Sequence, residues 1–249
     1  MKPYNKDFLL KELDKYNNLI CERQCGNYSI VKSNIEKVKM QGYMYKEKEY
    51  CNTNIIELKE KDKSIMKLDL REIQGDYAAI KSAKGKVGIV GLGLGYTAQE
   101  FAAKKDVEEV IVYEINSEII DMYNENFKHN EKIKIIHGDA FKAEKQKFDF
   151  FFVDIYNYKL TSKVVTDYKK FNKLHEIEEY SFWGMEHFLL SCNYEELLWI
   201  YIPENWVSMC KMIYEKLQSS GYIEYYKPLS EKKVSVILQK FKEVLNAEE

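Results

Sequence analysis

The apolar, β-branched run Val87-Gly88-Ile89-Val90 stops at Gly91-Leu92-Gly93-Leu94-Gly95, and a helical pattern opens at once with Tyr96-Thr97-Ala98-Gln99-Glu100-Phe101. No other stretch constrains the fold as strongly. A strand that turns through glycines into a helix needs backbone angles that side chains resist. It also presents bare N–H groups to a ligand at the positive end of the helix. A second apolar strand, Glu109-Val110-Ile111-Val112-Tyr113, ends in Glu114. An acid about twenty residues beyond such glycines is placed to accept hydrogen bonds from the two hydroxyls of a ribose.

The glycine spacing selects among nucleotides. A dinucleotide fingerprint requires G-x-G-x-x-G, and its third glycine position is here Tyr96. A nicotinamide or flavin pyrophosphate is therefore disfavoured. The spacing G-x-G-x-G suits the nucleoside end of S-adenosylmethionine better.

From residue 86 the strand and helix patterns alternate. Helices are expected over about 97–104 and 117–127, the second with Ser117 as N-cap, and strands over 87–90, 110–113, 133–136 and 150–153. Consecutive strands joined by helices imply parallel crossovers and an α/β, Rossmann-like, doubly wound, mostly parallel sheet. Ligands in such sheets sit at the carboxyl ends of the strands. Gly91, Gly93, Gly95, Glu114, Gly138, Asp139, Ala140 and Asp154 stand at four such ends and should converge on one crevice. The glycines would let backbone approach the methionine part and ribose. Glu114 would hold the ribose, and Asp139 the adenine amine. Asp154 would lie beside the transferred group, as the catalytic residue.

Residues 86–158 resemble the S-adenosylmethionine-dependent methyltransferase fold, class I type, and most closely its spermidine synthase (aminopropyltransferase) branch. Ile89–Thr97 is similar to that branch's glycine motif, with Ile89 where many methyltransferases carry an acid. The run 107–116 resembles the strand that ends in the ribose-binding acid, which places Glu114 and Ile115 at the cofactor. The run 135–140 resembles the adenine-binding motif, and 148–154 the strand carrying the aminopropyl-transfer acid. The second acid of that last motif is replaced by Asn157, without a following proline. The family's Tyr-His pair before the sheet is met only by Tyr77, followed by Ala78. The cofactor half of the resemblance is thus fuller than the substrate half.

Outside this core, Leu9, Leu13, Tyr16 and Ile20 repeat at helical spacing, and short apolar runs between residues 28 and 68 predict a small antiparallel set of strands. Residues 69–81 read as a helix. The expected organisation is a helix and small β-rich region over 1–70, then the cofactor domain over 71–249 with an insertion at about 156–196. Residues 197–202 read as the next strand after that insertion, 206–218 as a helix, and 222–226 with 234–238 as a closing antiparallel strand pair. Insertions at a sheet's carboxyl edge often wall a substrate. Tyr156, Asn157, Tyr158, Trp183 and His187 are accordingly the substrate-contact candidates. Lys159, Lys163, Lys169, Lys170 and Lys173 read as a solvated basic face.

Composition bounds the alternatives. Of 249 residues, 45% are apolar, enough for a sizeable core, and the net charge of −2 gives no global field for nucleic acid. No apolar run approaches a membrane span, and the polar N-terminus lacks a signal-peptide core. Five scattered cysteines read as reduced thiols of a cytoplasmic protein, and no metal signature is evident. The expected partner is a small-molecule substrate, with a homodimer compatible, no membrane, and nucleic acid not indicated. The expected activity is transfer from S-adenosylmethionine, foremost methyl transfer to an unidentified acceptor that Asp154 orients or deprotonates. The alternatives are aminopropyl transfer from decarboxylated S-adenosylmethionine and a non-catalytic nucleoside-binding interaction protein. A nicotinamide oxidoreductase is a weaker fourth.

Overall fold

A computed structural model describes residues 2–39, 44, 50–156 and 158–246. The chain opens with helix α1 (Lys6–Leu19), whose N-cap Asn5 accepts from the Phe8 N–H at 3.0 Å. Leu9, Leu13, Tyr16 and Ile20 are buried, as their spacing predicts. Strands β1 (Arg23–Cys25), β2 (Tyr28–Lys39), β3 (Tyr50–Glu60) and β4 (Lys63–Leu68) form a four-stranded antiparallel sheet in sequence order.

Helix α2 (Leu70–Ser82) links this sheet to the second one. Its N-cap Asp69 accepts from the N–H groups of Arg71 and Glu72. The second sheet contains β5 (Gly85–Val90), β6 (Val107–Glu114), β7 (Ile133–His137), β8 (Lys147–Val153) and β9 (Glu176–Phe182), ordered β7-β6-β5-β8-β9. Every pairing is parallel. Helices α3 (Tyr96–Ala102), α4 (Ser117–Asn126) and α5 (Lys163–Leu174) make the crossovers β5–β6, β6–β7 and β8–β9. This is the Rossmann-like arrangement, and its strand order reverses between β5 and β8, where such sheets open a ligand crevice.

The sheet is buried on both faces, which explains why its strands are continuously apolar. Ile89, Val112, Phe150 and Phe152 join the core with α1, α2, α3, α4 and the antiparallel sheet. Val90, Ile111, Phe151 and Val153 face a second core with the C-terminal helices.

Those C-terminal elements depart from expectation. The fifth strand is β9, inside the stretch expected as an insertion. Residues 197–202 are not a strand: α6 (Met185–Leu190) is followed by α7 (Tyr194–Trp199), capped by the Asn193 side chain on the Glu195 N–H at 2.9 Å. Helix α8 (Glu204–Ser219) is as predicted. The closing strand pair is absent: Tyr222–Tyr225 is a short 3₁₀ turn and α9 (Glu231–Leu245) is a helix. Val234, Ile237, Leu238 and Phe241 recur at three- and four-residue steps and are all buried, with Phe241 against Trp206 and Phe188. The β-branched run 234–237 suggested a strand, but this longer 3.6-residue period prevails. Among the described residues, no helix is long and apolar enough to cross a membrane.

Candidate functional site

The carboxyl ends of β5, β6, β7 and β8 open into one cavity of about 300 Å³. Gly91 and Gly93 form its floor, followed by Glu114, Ile115 and Asn116 after β6, Gly138 to Phe141 after β7, and Asp154, Ile155 and Tyr158 after β8. Leu58, Ile65 and Met66 of the antiparallel sheet, with Glu72 of α2, close the opposite side.

Gly91 has φ 97°, and a Cβ there would stand 2.7 Å from the Asp154 carbonyl oxygen. The β5 turn and the end of β8 can meet only because that side chain is missing. Gly95 (φ 79°) does different work. It starts α3, a Cβ there would strike the Tyr123 ring, and Gly95 is not among the residues lining the cavity. Leu94 donates its N–H to the Met66 Sδ at 3.2 Å, which ties the antiparallel sheet to the glycine loop.

Glu114 is buried, and its two oxygens accept from the N–H groups of Leu92 (3.0 Å) and Asn116 (2.9 Å). The carboxylate is thereby fixed at the cavity edge, and each oxygen retains further acceptor capacity. Gly138 donates its N–H to the Glu114 carbonyl at 2.8 Å, joining the β6 and β7 ends. Asp139 caps the 3₁₀ turn Ala140–Lys142 through its Oδ1 on the Phe141 N–H (3.0 Å), so it is both a cap and a cavity residue.

The other end of the cavity is acidic. Asp154 meets Glu72 and Asp76, which stand one helical turn apart on α2. Loss of solvent pushes the Asp154 carboxyl up to about 7. Glu72 is raised well above its ordinary value by burial, then by the charges of Asp76, Asp154 and Asp69. Asp76 is raised by burial and by Asp154, and the Thr97 hydroxyl, donating at 2.9 Å, offsets this only in part. The sequence reading missed Glu72 and Asp76. The available signal was two acids four residues apart on a helix whose neighbouring positions, Ile73 and Ala79, are core.

The substrate candidates separate. Tyr158 lines the cavity. Its hydroxyl donates to the Lys67 carbonyl at 2.9 Å, and the Lys67 N–H lies 3.1 Å from the same oxygen. Its ring lies under Arg71 and against Trp183. Tyr156 is not a cavity residue; it is buried in the core behind β8 with Phe182. Trp183 is also core, its indole packed on Gly75 of α2, where a Cβ would come within 2.5 Å. It positions the helix that carries Glu72 and Asp76. His187 is buried away from the cavity, with its Nε2 2.8 Å from the Lys227 carbonyl. Asn157 lies outside the described residues. None of the five cysteines is joined in a disulfide.

No protein-family model matches the chain, and no curated protein matches it. Solved structures do. Spermidine synthase from Thermotoga maritima is 13% identical, with 63% of this chain and 52% of that one covered and a TM-score of 0.37. A spermidine synthase in complex with the transition-state analogue AdoDATO is 15% identical over the same shares, with a TM-score of 0.39. Haemonchus contortus phosphoethanolamine N-methyltransferase 1, solved with phosphoethanolamine and S-adenosylhomocysteine, is 16% identical over 41% of this chain and 23% of that one, with a TM-score of 0.33. The chain spans about half the length of the spermidine synthases it matches. At these values no residue-by-residue correspondence follows.

Proposed function

We propose that the cavity binds S-adenosylmethionine, or its decarboxylated form, and that the protein is a transferase acting from it. The observation that carries this reading is the cavity's donor set. The glycine loop, Glu114, Asp139 and Asp154 come from four strand ends and line one space large enough for a nucleoside with its side chain. The residues fit the group. Glu114 is held as an acceptor where a ribose would lie, and Gly91 and Gly93 allow close backbone approach. Among the described lining residues there are four carboxylates, those of Glu72, Glu114, Asp139 and Asp154, and no lysine or arginine. That lining suits a sulfonium cation and opposes the pyrophosphate of NAD or FAD, which calls for cationic partners. Buried Tyr96 at the third glycine position points the same way.

When bound, the sulfonium compound supplies an electrophilic carbon. The chain's own contribution is placement and exclusion of water. Glu114 and the glycine backbone would fix the nucleoside. Leu58, Ile65 and Met66 cover it from solvent. Asp154 accepts the hydrogen bond of the acceptor's N–H or O–H and turns its lone pair inward. Methyl transfer is the leading reaction. Aminopropyl transfer is the second reading, favoured by the acidic lining, because decarboxylation gives the donor one more net positive charge. Incubation with each donor and a panel of amine and hydroxyl acceptors tests both. S-adenosylhomocysteine as product supports methyl transfer, and methylthioadenosine supports aminopropyl transfer. Binding without either product for any acceptor would favour a non-catalytic nucleoside-binding role.

A further inference from the structure

The inner wall of the cavity holds an arrangement that nucleoside binding leaves unused. One carboxylate oxygen from each of Glu72, Asp76 and Asp154 lies within 4.8 Å of the other two. Glu72 is 2% exposed and Asp76 is 0% exposed. Thr97 satisfies Asp76 Oδ2, but Asp76 Oδ1 and Glu72 Oε2 are buried with no hydrogen-bond partner. Among the described residues, no ion pair reaches any of the three acids. Buried carboxylate oxygens without donors or counter-charge are strongly disfavoured, so a cluster of them calls for an occupant.

We infer that Glu72, Asp76 and Asp154 form a site for a hard divalent cation of the magnesium, manganese or calcium class. The donors are all oxygen, which selects such ions over zinc or copper. Around an ion with metal–oxygen bonds of about 2.1–2.5 Å, ligand oxygens stand roughly 3–5 Å apart, and this spacing is met. Glu72 and Asp154 also line the cavity, which provides an entry path and room for water ligands. Thr97 donates to Asp76 Oδ2, as a supporting hydrogen bond does for a metal ligand. Charge argues in the same direction. A proton or a substrate ammonium balances one carboxylate, whereas a divalent ion balances two. On the adenosyl reading proposed above, the donor's sulfonium balances the third. Asp154 has two oxygens, so it can ligate with one and face the acceptor with the other. The ion then places the acceptor beside the transferred carbon.

The test needs no adenosyl compound, so its failure is separate from failure of the transferase reading. Full-length protein stripped by chelator is titrated calorimetrically with manganese(II), magnesium and calcium, and bound manganese is counted by electron paramagnetic resonance. The expected result is one ion per chain, with affinity reduced about tenfold or more by Asp76→Asn and, independently, by Glu72→Gln. Replacement of the exposed Glu144 by Gln leaves it unchanged. Circular dichroism confirms that each variant is folded, and the wild-type stoichiometry stands without them. Absence of binding by all three ions overturns the proposal, as does binding that neither variant weakens. A short aliphatic diamine that binds with the same dependence on Asp76 and Glu72, while no metal ion does, also overturns it and makes the cluster an ammonium seat.

Discussion

Single atoms decide whether this site exists. Gly91 is the clearest case, because its φ of 97° and the Asp154 carbonyl both exclude a side chain. Gly91→Ala is expected to lower thermal stability by on the order of 1–3 kcal/mol, from backbone strain and the displaced β8 end. It should also abolish nucleoside binding even where the protein stays folded; thermal melts alongside ligand titration check both effects. Unchanged binding in this variant would mean that the glycine turn is only a connector. The turn was legible in the sequence because glycine spacing is a local property. The Glu72–Asp76 pair was not, because an acid on a helix normally faces water. Only the packing of Trp183 on Gly75 and the capping of α2 by Asp69 show that this helix presents its acids inward.

At the level of elements, local signals sufficed where one pattern dominated. The four strands β5 to β8 and helices α2, α3 and α4 follow from apolar runs, glycines and caps. The C-terminal third differs from the sequence expectation at β9, at α7, at the 3₁₀ turn Tyr222–Tyr225 and at α9. In Glu176–Phe182 the adjacent Glu178 and Glu179 break both the apolar run and the period-two alternation, which masked a strand of the parallel sheet, while Val234 to Leu238 imitated one. Phe241 is the side chain that fastens α9 to the sheet's second face, and Phe241→Ala should cost about 3–5 kcal/mol in chemical denaturation. Helix α6 carries a pH-sensitive group. Burial lowers the His187 pKa from 6.5 to about 4, so the folded state keeps it neutral while the unfolded chain protonates near 6.5. Below pH 6.5 the unfolded chain therefore binds more protons. Stability should fall as the pH drops from 6.5 towards 4, by on the order of 3 kcal/mol at most. His187→Gln should flatten that part of the stability–pH curve; an unchanged slope would reassign the effect to other groups.

For the molecule as a whole, two sheets make one site. The parallel sheet supplies the cavity's strand-end residues at its switch point, and the antiparallel sheet joins them through Met66 on the Leu94 N–H. The α2 helix between the sheets brings two buried carboxylates beside Asp154. The small N-terminal sheet thus acquires a role that its own sequence, short runs between lysines and glutamates, does not disclose. We propose that this cavity takes an adenosyl sulfonium compound through Glu114. Its most direct test is calorimetric titration of wild-type protein and Glu114→Ala with S-adenosylmethionine, its decarboxylated form, S-adenosylhomocysteine and NAD. Adenosyl compounds are expected to bind to wild type, Glu114→Ala to lose at least about tenfold in affinity, and NAD not to bind. Binding of NAD alone, or of none of the four, would contradict it.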